Sequence, residues 1–309
     1  MLLKRFAMNI LPVVYQIIML FIIAGIGLLL RAKKIFTDPV IKGINTTILM
    51  VTWPAMMLMT TQREYSPEVL PGFLTVLFGS IIILSIAVIC AFLIFRKSAD
   101  MRLAPVLTML AVMPNAGYIG LPIVQAVYGD SASVFLAAYI TGFNIVLWTV
   151  CSTMYNGLSA KAMRGILSPG FICSILGIFF FLTRIALPTP ILSTVNQLGG
   201  LNTPLSMLLV GARMDTLRFH HLKDGKMWIS VLCKLLVFPI TVLLIAKLLG
   251  ISGLPLGILA LCSAMPSASA TQMFAEKHDA RVDVAAKGVS IATLACIASI
   301  PIMLLLIGA

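Results

Sequence analysis

Acidic residues are scarce in this sequence. Ten Asp and Glu stand against 22 Lys and Arg in 309 residues. None of the ten falls near the middle of an apolar run, and Asp130, Glu276, Asp279 and Asp283 sit at the ends of such runs. A proton relay through buried carboxylates is therefore unsupported. Histidine is scarcer still, with only His220, His221 and His278, all in or beside polar connections. Without paired carboxylates or a His cluster, the chain lacks what a membrane-embedded enzyme needs for acid–base or metal chemistry. The cysteines (Cys90, Cys151, Cys173, Cys233, Cys262, Cys296) are scattered singly with no C-x-x-C spacing, which leaves them as small packing residues. No connection is long enough for the extra soluble domain a sensor usually carries. No metal and no cofactor are expected.

What is abundant is apolar sequence. With 60% hydrophobic and 10% charged residues and a mean hydropathy of +1.08, the chain has more apolar surface than a soluble core can hide. It reads as a polytopic membrane protein in a lipid bilayer. The first run, Leu11 to Leu30, follows Lys4 and Arg5 as a signal peptide would. It is too long for an h-region and has no A-x-A site before Arg31, so it is expected to remain as the first helix. The net charge of +12 comes from basic residues in short loops between spans, which topology explains better than nucleic acid does.

Ten spans are expected near 11–30, 40–61, 72–95, 103–128, 132–155, 169–187, 190–212, 227–249, 254–277 and 284–307. With both termini outside, sixteen Lys and Arg fall on the inner side and five on the outer, while Lys234 lies within a span. That bias fixes the expected orientation, although Lys4 and Arg5 pull against it. Five spans per half is an odd number, so the second half crosses in the opposite sense. The expected fold is an all-α membrane protein of ten transmembrane helices in two inverted five-helix repeats, residues 1–155 and 169–309, joined by a short cytoplasmic linker, 156–168. Trp53-Pro54 answers Thr203-Pro204, Pro105 answers Pro255 and Met113-Pro114 answers Met265-Pro266, at offsets of 150, 150 and 152.

Two of these matches are polar interruptions: Met113-Pro114-Asn115-Ala116-Gly117-Tyr118-Ile119-Gly120-Leu121-Pro122, and Met265-Pro266-Ser267-Ala268-Ser269-Ala270-Thr271-Gln272. A helix broken at mid-bilayer frees N–H and C=O groups that hydrocarbon tolerates only inside protein or beside a water-filled cavity. Breaks at matching positions in two halves point to a transporter's substrate site. Spans four and nine enter from opposite sides, so the breaks near 114–120 and 266–272 can meet at the midplane. Two half-helix N-termini, each worth about half a positive charge, suit a carboxylate; the C-terminal carbonyls suit a cation or water.

Each candidate residue has a plainer reading beside the binding one. Asn115 can offer its amide to a carboxylate or cap a helix. Gly117 and Gly120 let backbone approach a substrate or a crossing helix. Ser267, Ser269, Thr271 and Gln272 can meet a substrate or re-satisfy backbone freed by Pro266. Tyr118 can stack on an organic molecule or pack. Lys234, in Val231-Leu232-Cys233-Lys234-Leu235-Leu236, has a candidate charge role. It also lies about two turns from Lys226, close enough to snorkel to the cytoplasmic surface.

The stretch Pro114 to Pro122, followed by Ala126-Val127-Tyr128-Gly129-Asp130, resembles the fourth-helix motif of the auxin efflux carrier family. Pro266 through Phe274-Ala275-Glu276-Lys277, the span with Ser299-Ile300-Pro301, Lys234 with Pro239, and Gly211-Ala212-Arg213-Met214 also resemble that family, so the likeness covers the whole chain. It implies helices one, two, six and seven as scaffold, helices three to five and eight to ten as an elevator-like transport unit, and a site where helices four and nine cross. The motif's proline and asparagine match Pro114 and Asn115. A homodimer through the scaffold helices goes with the same expectation. The plant carriers have a long loop between helices five and six where this chain has only about Asn156 to Leu167, which puts auxin itself in doubt. The compact form resembles bacterial members linked to malate and malonate. The expected function is thus plasma-membrane transport of a small organic anion. The alternatives are a sodium-coupled carrier resembling the bile-acid family and, from another class, a membrane sensor or embedded enzyme.

Overall fold

The computed structural model describes residues 2–62, 67–97, 100, 102–157, 169–214 and 224–308. The expected linker, 156–168, lies outside these residues except for Asn156 and Gly157, and so do Arg63, Lys161, Arg164, His220 and His221. The described chain is helical throughout, without a β-strand.

Among the described residues, five stretches are long and apolar enough to cross a bilayer: Val14–Ala32, Val69–Phe95, Asp130–Tyr155, Gly225–Leu248 and Val282–Ile307. The helices are α1 (Leu2–Ala32), α2 (Asp38–Thr47), α3 (Trp53–Thr61), α4 (Val69–Phe95), α5 (Leu103–Val112), α6 (Leu121–Tyr128), α7 (Ser133–Val146) and α8 (Ser152–Asn156). After the linker come α9 (Pro169–Thr183), α10 (Thr189–Gly200), α11 (Asn202–Arg213), α12 (Gly225–Leu232), α13 (Phe238–Leu248), α14 (Gly253–Ala264), α15 (Ala270–Lys277) and α16 (Val282–Ile307). The apolar run 190–212, expected as one span, is divided at Leu201 between α10 and α11.

Helix α4 shows why these segments belong in lipid. It buries Phe73, Val76, Leu84 and Val88 on one side and leaves Phe78, Ile82, Ile86, Ile89 and Ile94 exposed on the other. A helix apolar all round, with one face turned outward, needs a hydrocarbon solvent for that face.

Three π turns stand directly before prolines. Ile48–Thr52 precedes Trp53-Pro54, Ala116–Gly120 precedes Leu121-Pro122, and Cys233–Val237 precedes Phe238-Pro239. Proline lacks an N–H and its ring crowds the carbonyl four residues back. One wider turn absorbs the mismatch and lets the helix continue.

Glycines set the closest helix approaches. A Cβ on Gly211 would collide with the Ala24 carbonyl, and one on Gly27 with that of Leu208, so α1 and α11 meet backbone to backbone. The interior segments α5, α7 and α14 are packed on nearly all sides, and the two chain breaks lie among them.

Candidate functional site

Helix α5 ends at Val112 because Pro114 offers no N–H to the Leu110 carbonyl, four residues back. The chain is extended at Met113, and helical geometry resumes at Ala116. Likewise α14 ends at Ala264 before Pro266, and α15 starts at Ala270. The helical gap is thus narrower than 114–120, since Gly117, Tyr118 and Gly120 lie within a π turn.

The two gaps pair with each other. Asn115 N–H donates to Pro266 O at 2.7 Å and Ala268 N–H donates to Met113 O at 2.9 Å, closing an antiparallel bridge. Other freed carbonyls find side chains. The Ser267 hydroxyl donates to Leu110 O at 2.7 Å, taking the place of the hydrogen that Pro114 lacks. Lys234 is fully buried and does not snorkel. Its Nζ donates to Ser263 O at 2.7 Å and to Val112 O at 3.2 Å, so one side chain caps the carbonyl ends of both α14 and α5.

Beside the paired breaks lies a cavity of about 160 Å³. Its wall takes Pro114, Asn115, Gly117 and Tyr118 from one break and Ala268, Ser269 and Ala270 from the other. Asn144 of α7, Trp148 of the π turn that follows it, Gly170 of α9 and Trp53 at the start of α3 close it, and among the described residues no lining side chain carries a charge. At the start of α15 the Thr271 N–H donates to Ala268 O at 2.9 Å and the Gln272 N–H to Ser269 O at 3.1 Å.

Three polar groups on the wall make no hydrogen bond among the described residues: Asn115 Nδ2, Asn144 Nδ2 and Ser269 Oγ. Asn115 stands where a helix N-cap would, yet its side chain forms no cap bond. Tyr118 meets Trp53 edge to face at 5.2 Å between ring centroids. A Cβ on Gly117 would strike the same indole, so the glycine is needed for that contact.

Of the residues singled out from sequence, Pro114, Asn115, Gly117, Tyr118 and Ser269 come together on the cavity wall. Gly120, Pro266, Ser267, Thr271, Gln272 and Lys234 do not line it. Ser267 and Lys234 satisfy backbone, and Gln272 Nε2 donates to Glu276 Oε1 at 3.0 Å. Thr271 is buried, with its hydroxyl unpartnered away from the cavity. Asn144 was not singled out, and Trp53 only as part of the repeat match Trp53-Pro54, not as a site residue. The available signal for Asn144 was a lone amide in the apolar stretch Phe143-Asn144-Ile145-Val146.

Residues 12–164 and 158–304 match the model of a family described as membrane transport protein. The chain is 27% identical over 212 residues to an uncharacterized transporter of Methanothermobacter thermautotrophicus, covering 67% of this chain and 69% of that one. It is 23% identical over 292 residues to an uncharacterized transporter of Methanocaldococcus jannaschii, covering 90% and 93%.

Proposed function

The chain belongs to the membrane transport protein family, the auxin efflux carrier family that its fourth-helix motif resembles, and from that premise we propose that it carries a small mono- or dicarboxylate. It is a multi-pass membrane transporter, not an enzyme. The observation that supports the substrate class is the polarity of the cavity. Both carbonyl ends of the broken helices are held by Lys234. Asn115, Asn144 and Ser269 line the space that remains, each with a buried polar atom that makes no hydrogen bond among the described residues. Donors without a compensating negative charge select an anion.

Size favours a small one. A cavity of about 150 Å³ accepts benzene, and the site here is of that order, at about 160 Å³. A compact acid such as malonate or malate fits that scale better than an indole acid does.

The proposed architecture is ten spans in two inverted repeats, moving by an elevator-like exchange of access. Two contacts support a two-fold relation. The bridge between the breaks is reciprocal, and Thr52 Oγ1 donates to Asn202 Oδ1 at 3.1 Å across a separation of 150 residues, the repeat offset itself. The cavity lies between α2, α3 and α9 on one side and the segments from α5 to α8 with α15 on the other, as a scaffold and a moving unit would require.

Uptake of labelled malate, malonate, oxalate and indole-3-acetate into proteoliposomes tests the proposal. Saturable uptake of a small acid, reduced by Asn115→Ala, is expected; transport of none of the acids would overturn the substrate class.

A further inference from the structure

Transporters built on broken helices hold their coupling cation with unwound carbonyls and half-helix C-terminal ends. In this chain such ends converge, and a side chain already sits between them. Val112 O and Ser263 O have lost their helical partners because, of the residues four places on, Ala116 lies past the first break and Ser267 lies within the second. Lys234 Nζ reaches both, at 3.2 and 2.7 Å. Two helix C-termini together amount to about one negative charge, which a single ammonium balances. The Phe238 ring adds its face, with Nζ 4.5 Å from the centroid, a contact that favours a cation. Lys234 arrives from the π turn Cys233–Val237, outside both broken segments, so it is a third element that locks them together.

We propose that the Lys234 ammonium is a tethered substitute for a coupling cation, holding the place between the carbonyl ends of α5 and α14 that a free sodium ion would hold. Transport therefore does not require sodium, and removing the ammonium converts the place into a site for a small monovalent cation. The inference rests on the carrier reading for its transport consequence, but the site itself is testable without any substrate.

The first readout is the unfolding temperature of the purified full chain in sodium chloride and in choline chloride at equal ionic strength. Wild type is expected to melt at the same temperature in both. Lys234→Ala is expected to melt lower in choline and to recover in sodium or methylammonium, whereas Lys234→Met, which fills the space with an apolar chain, melts lower and does not recover. In proteoliposomes, wild-type uptake is expected to be equal in both salts. Lys234→Ala should lose uptake by about tenfold or more in choline, since hydrogen bonds to a charged group are each worth such a factor, and regain it with the added cation.

Sodium-dependent melting or uptake of wild type would overturn the proposal. So would a Lys234→Ala protein that melts and transports as wild type in choline. Failure of sodium, potassium and methylammonium alike to restore it, or to allow its purification, overturns the cation-site part. If no acid is transported, the anion reading falls while the melting comparison still decides the role of Lys234.

Discussion

At Asn115 the main chain and the side chain are directed differently. The backbone N–H is bound to Pro266 O at 2.7 Å, while Nδ2 is buried without a hydrogen bond in a residue that lines the cavity. Removing the amide should therefore leave the bridge intact. Asn115→Ala is expected to keep the melting temperature of wild type and to lose uptake by about tenfold or more, the worth of one hydrogen bond to a charged ligand. Equal uptake by a correctly inserted variant would remove the proposed role. Ser267 is the converse case. Its hydroxyl serves Leu110 O, a buried carbonyl that Pro114 cannot serve. Ser267→Ala should cost about 1–3 kcal/mol, the penalty of an orphaned buried acceptor, seen as a lower melting temperature that substrate does not specifically relieve. The sequence carried both residues as candidates, each with a binding reading and a backbone reading. What decides between them is which carbonyl lacks a hydrogen, and that depends on the partner break 152 residues away. Asn144 was not legible because a single amide in an apolar run carries no spacing signal.

Proline positions made the breaks legible as elements, since a helix interior cannot hold Met-Pro followed by polar residues without losing a hydrogen bond. Their extent was not legible. A π turn and an α turn use the same residue types, so nothing in Ala116 to Gly120 announces that helical geometry has resumed. The division of 190–212 at Leu201 did have a local signal, Gly199-Gly200 before it and Asn202-Thr203-Pro204 after it, which hydropathy averaged over a whole span does not register. A proline substitution tests the account of the break. Pro114→Ala restores an N–H four residues after Leu110, where the Ser267 hydroxyl now binds. Helix α5 can then extend by part of a turn, displacing Ser267 and turning Asn115 away from the cavity. Because interior proline costs a helix about 3 kcal/mol, the variant is expected to be no less stable than wild type, yet defective in uptake. A variant that is both stable and fully active would mean that the break is not what positions the amide.

At the scale of the whole molecule, the two ends differ in charge and in what they tie together. The connection before α5 and the one before α16 meet through Arg281–Asp100 and Arg102–Asp279, each at 3.4 Å. The opposite end joins the chain after α3 to that before α10, where Leu187 N–H donates to Gln62 Oε1 at 2.9 Å. An even number of crossings must separate loops that share an end, and both pairings agree with the alternation expected from ten spans. The proposed orientation follows from charge. Each Lys or Arg near an anionic inner leaflet contributes about 1 kcal/mol, so sixteen against five basic residues outweigh Lys4 and Arg5 at the outer terminus. On that proposed orientation, the residues lining the cavity from α2, α9 and α15 lie on the cytoplasmic side of the breaks, and the proposed state is the inward-facing one. Single cysteines placed in a background without the native six test this directly. Asp100→Cys and Asp224→Cys should react with a membrane-impermeant maleimide only in inverted vesicles, and Asp130→Cys and Leu249→Cys only in intact cells. The reverse pattern would turn the protein over and make the cavity outward-facing. Labelling of Asp100→Cys and Asp130→Cys from the same side would be more serious, because residues 103–128 would then not cross the membrane and the inverted repeat would fail with them.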